Sequence, residues 1–251
     1  MTDMRAAAAA VRAADEQLAG LSPKPFPVPA RGLEAVIAGG FEGVERSDWV
    51  FPGLRERVGA TLRGCPLERL VDPADGARPY RVAPTSGDPA ARMLHACGLA
   101  MANPDDAVLC FIGQGSASYG AFHEALNLAA LRWLNVVFLA GTWTLTDEAP
   151  LGPQTAVDLS ALAAAYGLRV DVVEGADADA VRAAVAEARA AGGPALVEAR
   201  LTPGVDPLAR PAAVTTSLSD KSVAKLKAMA KAADVSGYSR MKKAELIKEL
   251  S

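Results

Sequence analysis

The sequence is short of the residues that mark several common classes of protein. Aromatic side chains make up 5% of its 251 residues, so its core must close around alanine and small aliphatics rather than large rings. Three cysteines are present, Cys65, Cys97 and Cys110. They cannot all pair, their spacings match no zinc motif, and they read as small core residues. His95 and His123 are the only histidines. Both fall in helical stretches, where a packed structural histidine is the expected state. No apolar run is long enough to span a bilayer, and the alanine-rich start, interrupted by Asp15 and Glu16, lacks a signal peptide's unbroken apolar core. A bacterial-type, reducing cytoplasmic setting is expected. Lysine is scarce as well: before residue 220 every basic side chain except Lys24 is arginine.

The composition is globular, 51% hydrophobic and 22% charged, with a net charge of −3. At this length the chain can form one large α/β domain with a small appendage. Taken whole, its charge argues for neither a nucleic-acid binder nor a membrane-surface protein. The organising stretch begins with Ala107-Val108-Leu109-Cys110-Phe111-Ile112, an apolar run suited to a strand buried on both faces of a parallel sheet. It stops at Gly113-Gln114-Gly115, where two glycines permit a sharp turn and close approach to a ligand. Phe122, Leu126, Ala129, Ala130 and Trp133 then recur at helical spacing, with Glu124 and Asn127 on another face. Val136–Ala140 reads as the next strand, which completes a βαβ unit whose binding edge is the carboxyl end of the strands.

Around this unit the pattern predicts a helix from Met4 to about Leu21, an extended proline arm over 22–29, and a short helix over 32–40. A close-packed helix follows the loop that starts at Pro84, with Ala96, Gly98 and Ala100 small enough to admit another element. Later come a helix capped by Asp158 and closed by Gly167, a strand over 168–173, a helix over 177–191 and a last strand over 195–200.

Gly113-Gln-Gly-Ser-Ala-Ser-Tyr-Gly120-Ala-Phe-His-Glu-Ala-Leu-Asn127, with Val136-Val-Phe-Leu after it, resembles the thiamine-diphosphate motif of the α subunit of 2-oxoacid dehydrogenase E1 components. Trp49-Val50-Phe51-Pro52, Arg55 and Glu56 are similar to a second segment of that family, and the likeness runs from about Met4 to Pro207. It implies a parallel-sheet α/β fold that binds thiamine diphosphate. It also implies a Mg²⁺ held by an aspartate and an asparagine, yet here the aspartate is Gln114 and the asparagine pair falls on Thr142 and Trp143. A neutral amide, a hydroxyl and an indole N–H lack the charge and the compact oxygen geometry that magnesium requires. The family's tyrosine is Leu54, and its His-Gly-His loop has no counterpart in Leu201–Pro211, which contains no histidine. The site therefore reads as degenerate, with Arg55, Gly113, Gln114, Gly115 and Thr142 as its remnants, no metal ligand and no catalytic residue. In the family the arginine at the position of Arg55 reaches toward the diphosphate; the other reading is a helix-face arginine paired with Glu56 or a neighbour.

Past a polar linker the basic residues turn to lysine. From Asp220 onward eight basic side chains face four acidic ones, a net charge of +4 against −7 for the rest. Val223–Leu250 resembles the Rho-factor N-terminal helical domain and SAP domains, a helix-extended-helix module with Ser239 capping its second helix. That resemblance implies phosphate contact by Arg240, Lys242 and Lys243, with Tyr238 as a stacking surface. The alternative is a solvated lysine face that docks another protein.

The expected organisation is an E1α-like domain over 1–207, a linker over 208–219 and a Rho-N/SAP-like module over 220–251. The expected function is a catalytically degenerate scaffold, forming a homo-oligomer or pairing with an E1β-like chain, that carries a nucleic-acid-binding module. It would use no cofactor and touch no membrane, and would sit in the cytoplasm or on the nucleoid. The alternative is a working E1 α subunit that uses thiamine diphosphate and Mg²⁺ to decarboxylate a 2-oxoacid oxidatively and pass the acyl group to lipoamide.

Overall fold

A computed structural model describes residues 2–21, 29–72, 77–85, 88, 90–143, 156–202, 206 and 208, with 223, 227, 241–243 and 245 of the C-terminal module. The proline arm, the linker, Tyr238, Ser239 and Arg240 lie outside these residues. Contacts divide the chain into two units, Met1–Leu208 and Ala209–Ser251.

The first unit is a five-stranded, wholly parallel sheet between two layers of helices. Its strands are β1 (Trp49–Phe51), β2 (Val108–Gly113), β3 (Val136–Trp143), β4 (Arg169–Glu174) and β5 (Ala195–Leu201), in the order β1-β2-β3-β5-β4. Among the described residues six α-helices accompany them: α1 (Met4–Leu21), α2 (Glu34–Glu42), α3 (Ala91–Ala102), α4 (Gly120–Arg132), α5 (Leu159–Ala165) and α6 (Ala178–Ala191). The central strands are apolar throughout because both faces are covered. Leu109, Phe111, Val137, Leu139 and Val197 point to a core shared with Ile37, Phe41, Val181 and Val185 under α1, α2 and α6. Val108, Cys110, Ile112, Phe138 and Leu196 point to the other core, with Met93, Phe122, Leu126 and Leu159 under α3, α4 and α5. Edge strand β4 is partly exposed and alternates, as its Arg-Val-Asp-Val-Val-Glu sequence requires.

Glycine sets the spacing of the α2 layer. A Cβ at Gly39 would lie 2.6 Å from the Cβ of Val181, and one at Gly43 2.8 Å from that of Val185, so α2 lies directly against α6. At the amino end of the sheet the fully buried Asp48 carboxylate accepts the backbone N–H of Glu45 (2.8 Å) and Ala107 (3.1 Å) and the Arg189 Nε–H (2.6 Å). This joins the loop before β1, the start of β2 and the last turn of α6.

Several local expectations change. Past Leu54 the chain forms 3-10 structure, Glu56–Arg63 and Leu67–Leu70, interrupted by Gly64 at φ +85 and by Pro66. Asp158 stands at the N-cap position of α5 but makes no capping hydrogen bond; its carboxylate turns to Arg200, 3.7 Å away. Asp177, by contrast, caps α6 by accepting from the Ala180 N–H at 3.0 Å. His95 is exposed rather than packed, while His123 stacks edge-on with Phe122 and lies 3.4 Å from the Tyr166 hydroxyl. Gly98 faces open space, with Ala96 and Ala100 turned inward. All three cysteines are buried, and burial pushes the Cys97 and Cys110 thiols up to about 12.

Candidate functional site

In a parallel sheet the residues available for chemistry gather where strands give way to loops, at their carboxyl ends. Here β2 ends in Gly113, β3 in Thr142 and Trp143, and β5 runs past Glu198 and Arg200. The register sets Gly113 beside Gly141 and Thr142 beside Arg200, so Gln114 and Thr142 come to the same edge although 28 positions separate them. A 3-10 turn, Gln114–Ser118, intervenes before α4 begins at Gly120.

The side-chain oxygens of Gln114 and Thr142 are already engaged within the protein. The Gln114 Oε1 accepts from the backbone N–H of Trp143 at 3.4 Å, a long bond that ties the ends of β2 and β3. The Thr142 hydroxyl, 6% exposed, donates to the Glu198 carboxylate at 3.0 Å. Arg200 Nε–H reaches the same carboxylate at 3.3 Å, and its guanidinium continues to Asp158. Hydrogen bonding to Glu198 holds the Arg200 guanidinium above its ordinary range. The Glu198 carboxylate beside Thr142 is thus already paired with a cation.

Trp143 turns to the other face, half-buried against the α1–α2 core. Its ring lies over Gly32, where a Cβ would come within 2.7 Å of the indole and where φ is +88, a conformation glycine adopts without strain. Gly32 is itself fixed, since its N–H donates to the buried Glu34 carboxylate at 2.7 Å. Glu34 also accepts from Arg12 Nε at 2.8 Å, and Arg12 pairs with Asp206 at 2.7 Å. The Arg12 hydrogen bond holds the Asp206 carboxyl down at about 2. The indole therefore rests on a braced turn.

These donors do not fit a divalent cation. Magnesium takes compact octahedral oxygen ligation with carboxylate charge, and among the described residues no group of three His, Cys, Asp or Glu side chains could hold a metal. What remains of the edge suits an anion better. Cβ atoms at Gly113 and Gly115 would meet nothing within 4 Å, so the turn is open. Arg55, at the start of a 3-10 helix, is half-buried and makes no ion pair with Glu56.

Two polar groups here escaped the sequence reading. The Arg92 side chain is 7% exposed and lies against Gly53, and its Nε has no hydrogen-bond partner among the described residues. The buried Ser116 hydroxyl also lacks one. Neither residue stands in a recognisable spacing, and burial alone singles them out. Glu198 was legible in principle, because a carboxylate inside an apolar strand calls for a partner and Arg200 lies two residues on.

In the C-terminal unit Lys242 and Lys243 are exposed. The Glu245 carboxylate accepts from the backbone N–H of Lys242 at 2.7 Å, as at a helix start.

Residues 3–201 match the dehydrogenase E1 component family. The chain belongs to that family. The E1-like unit is 34% identical over 187 residues to the 3-methyl-2-oxobutanoate dehydrogenase subunit alpha of Mycobacterium tuberculosis, covering 68% of this chain and 51% of the relative. It is 30% identical over 209 residues to the 2-oxoisovalerate dehydrogenase subunit alpha of Bacillus subtilis, covering 71% and 63% respectively. The chain thus spans between half and two thirds of the length of these relatives. A transketolase structure from Campylobacter jejuni shares the fold, with a TM-score of 0.64 at 19% identity over 98% of this chain and 45% of that one. Residues 217–250 match the N-terminal domain of Rho termination factor.

Proposed function

We propose that the E1-like unit is a non-catalytic scaffold that assembles with itself or with an E1β-like chain, and that it carries a Rho-N-type module which contacts nucleic acid. One observation carries the first half. The groups at the family's metal positions are spent on the protein itself: Gln114 on the Trp143 N–H, Thr142 on Glu198, and the Trp143 ring on Gly32. Releasing them to grip a cation would break the β2–β3 tie and leave a buried carboxylate paired with Arg200 alone. Calorimetry with thiamine diphosphate and Mg²⁺ tests this reading: no saturable heat is expected, and micromolar binding would overturn it.

The second half rests on the match of residues 217–250 and on charge. The exposed Lys242 and Lys243 stand beside Arg240 and Tyr238 in sequence. Phosphate contact of this kind is weak and salt-sensitive, and display of several modules on one assembly strengthens it. A gel shift at two salt concentrations, with the full chain and with one ending at residue 216, is expected to show binding that needs the module and fades with salt. Binding by the shortened chain would sink the proposal. Among the described residues no helix is long and apolar enough to cross a membrane, and this reading places the protein in the bacterial cytoplasm, at the nucleoid where the target is DNA.

A working E1 α subunit acting on a 2-oxoacid is favoured by one feature, the open Gly113 and Gly115 turn with the unpartnered Ser116 hydroxyl in it, which together with Arg55 would take an anion. These residues would have to hold the cofactor's diphosphate without a protein carboxylate on the metal. The calorimetric experiment separates the two readings.

A further inference from the structure

Arg92 is a cation placed where two effects oppose it. It stands in the first turn of α3, where the helix dipole disfavours positive charge, and only 7% of it is exposed. Its Nε has no hydrogen-bond partner, and its guanidinium makes no ion pair, among the described residues. A buried charge without a counter-charge is costly, so the arrangement calls for something negative to complete it.

The place of the side chain is closely defined. A Cβ at Gly53 would collide with Arg92 Nη1 and with Glu56 Oε2 alike, so only glycine lets these two tips converge over the backbone. One comes from α3 and the other from the 3-10 helix that follows β1, and they converge without forming an ion pair. Gly53 lies two residues past the end of β1, which pairs with β2 through Phe51 and Cys110. The pair of charges thus sits at the β1 side of the carboxyl edge, whereas Gln114 and Thr142 meet between β2 and β3.

A guanidinium only donates and an ionised carboxylate only accepts. A small group that satisfies both must offer acceptor oxygens to Arg92 and an O–H to Glu56. Hydrogenphosphate does so, because its bare oxygens take the guanidinium fork while its remaining hydroxyl donates to the carboxylate. Sulfate has the same shape but no hydroxyl at neutral pH, and it would set a bare oxygen against Glu56.

We propose that Arg92 and Glu56, converging over Gly53, form a binding site for inorganic phosphate that needs no metal. The site is separate from the glycine turn and from the metal positions, so it rests on neither reading of the cofactor edge.

Thermal melts of the full chain test it, at neutral pH and with ionic strength held constant by sodium chloride. Phosphate at ten times its dissociation constant is expected to raise the midpoint by roughly 3 to 6 °C, and sulfate at the same concentration by less than about a third of that. Arg92→Met keeps the length of the side chain and removes its charge. This variant is expected to lose the phosphate response while melting no lower than the parent in phosphate-free buffer, since an uncompensated buried charge has gone. Glu56→Gln is expected to let sulfate stabilise as well as phosphate does, a gain that misfolding cannot imitate. A parent that ignores phosphate, or one that responds equally to sulfate, overturns the proposal. So does a full response kept in Arg92→Met, as binding at the glycine turn would give, or stabilisation by glycine in place of phosphate, which would assign the two charges to a zwitterion. Thiamine diphosphate binding in calorimetry would defeat the non-catalytic reading without touching this one.

Discussion

Asp15 occupies an unusual position for an acid. It lies on the buried side of α1 and is 8% exposed, with one carboxylate oxygen accepting from the Ala30 N–H at 2.9 Å and the other lacking a hydrogen-bond partner among the described residues. Burial raises its pKa above the ordinary 3.8, and the neighbouring Glu34 adds to the rise. A carboxyl whose folded pKa lies above its unfolded one favours the fold while protonated and costs stability once pH rises past the unfolded value. Asp15→Asn keeps an acceptor for Ala30 and removes the charge. The variant is therefore expected to be more stable than the parent at neutral pH, with the difference closing as pH falls to about 4 or below. Thermal melts at a series of pH values check it, and a gain that grows on acidification would contradict it. Asp48 is the converse case, a buried carboxylate with every contact satisfied. Asp48→Ala leaves two backbone N–H groups without their acceptor and Arg189 with Glu45 alone, and is expected to cost about 3 kcal/mol or more in urea unfolding. A change below 1 kcal/mol would show that water replaces the carboxylate at little cost.

At the scale of elements, glycine decides how closely the α2–α6 layer approaches. Gly39→Ala pushes a methyl into Val181 and the Ala178 carbonyl oxygen, 2.6 and 3.0 Å from the new atom. Higher helix propensity favours the substitution by roughly 1 kcal/mol, and overpacking opposes it by about 1 to 3. The net result is expected to be destabilising, read from the urea midpoint. Four strands were legible because their short apolar or alternating runs, bounded by turn residues, suit a covered parallel sheet, whereas the three residues of β1 are too few to show a pattern. The 3-10 turns after Leu54 were not, since helical alternation does not distinguish a tight helix from a relaxed one and only Gly64 and Pro66 mark the break. At the candidate site the positions of Gln114, Thr142 and Trp143 were marked by the family resemblance. That Glu198 calls for a partner could be read from its strand, but not that Thr142 is one, because strand register sets which residues face each other, and the contact of Trp143 with Gly32 arises from the packing of a turn.

For the whole molecule, charge is distributed unevenly along one chain, −7 before residue 220 and +4 after it. Acidic bulk repels a polyanion, so the nucleic-acid contact proposed above would be local to the module. If Arg240, Lys242 and Lys243 each neutralise one phosphate, the logarithm of the binding constant falls against the logarithm of salt with a slope of about −2 to −3. Fluorescence anisotropy with a labelled oligonucleotide measures it. Lys242→Ala with Lys243→Ala should flatten the slope by roughly two units, and an unchanged slope would move the contact elsewhere.

The strand order also dictates when the molecule can close. β5, late in the chain, enters between β3 and β4, and β4 has no other neighbour in the sheet. On a ribosome, everything up to residue 194 can emerge while β3 still offers an unsatisfied apolar border and β4 waits unattached. During that interval the nascent polypeptide is open to capture by the equivalent late strand of a sister molecule, so chaperone shielding of that border, or slow release of β5, would govern how much correctly closed protein a cell obtains.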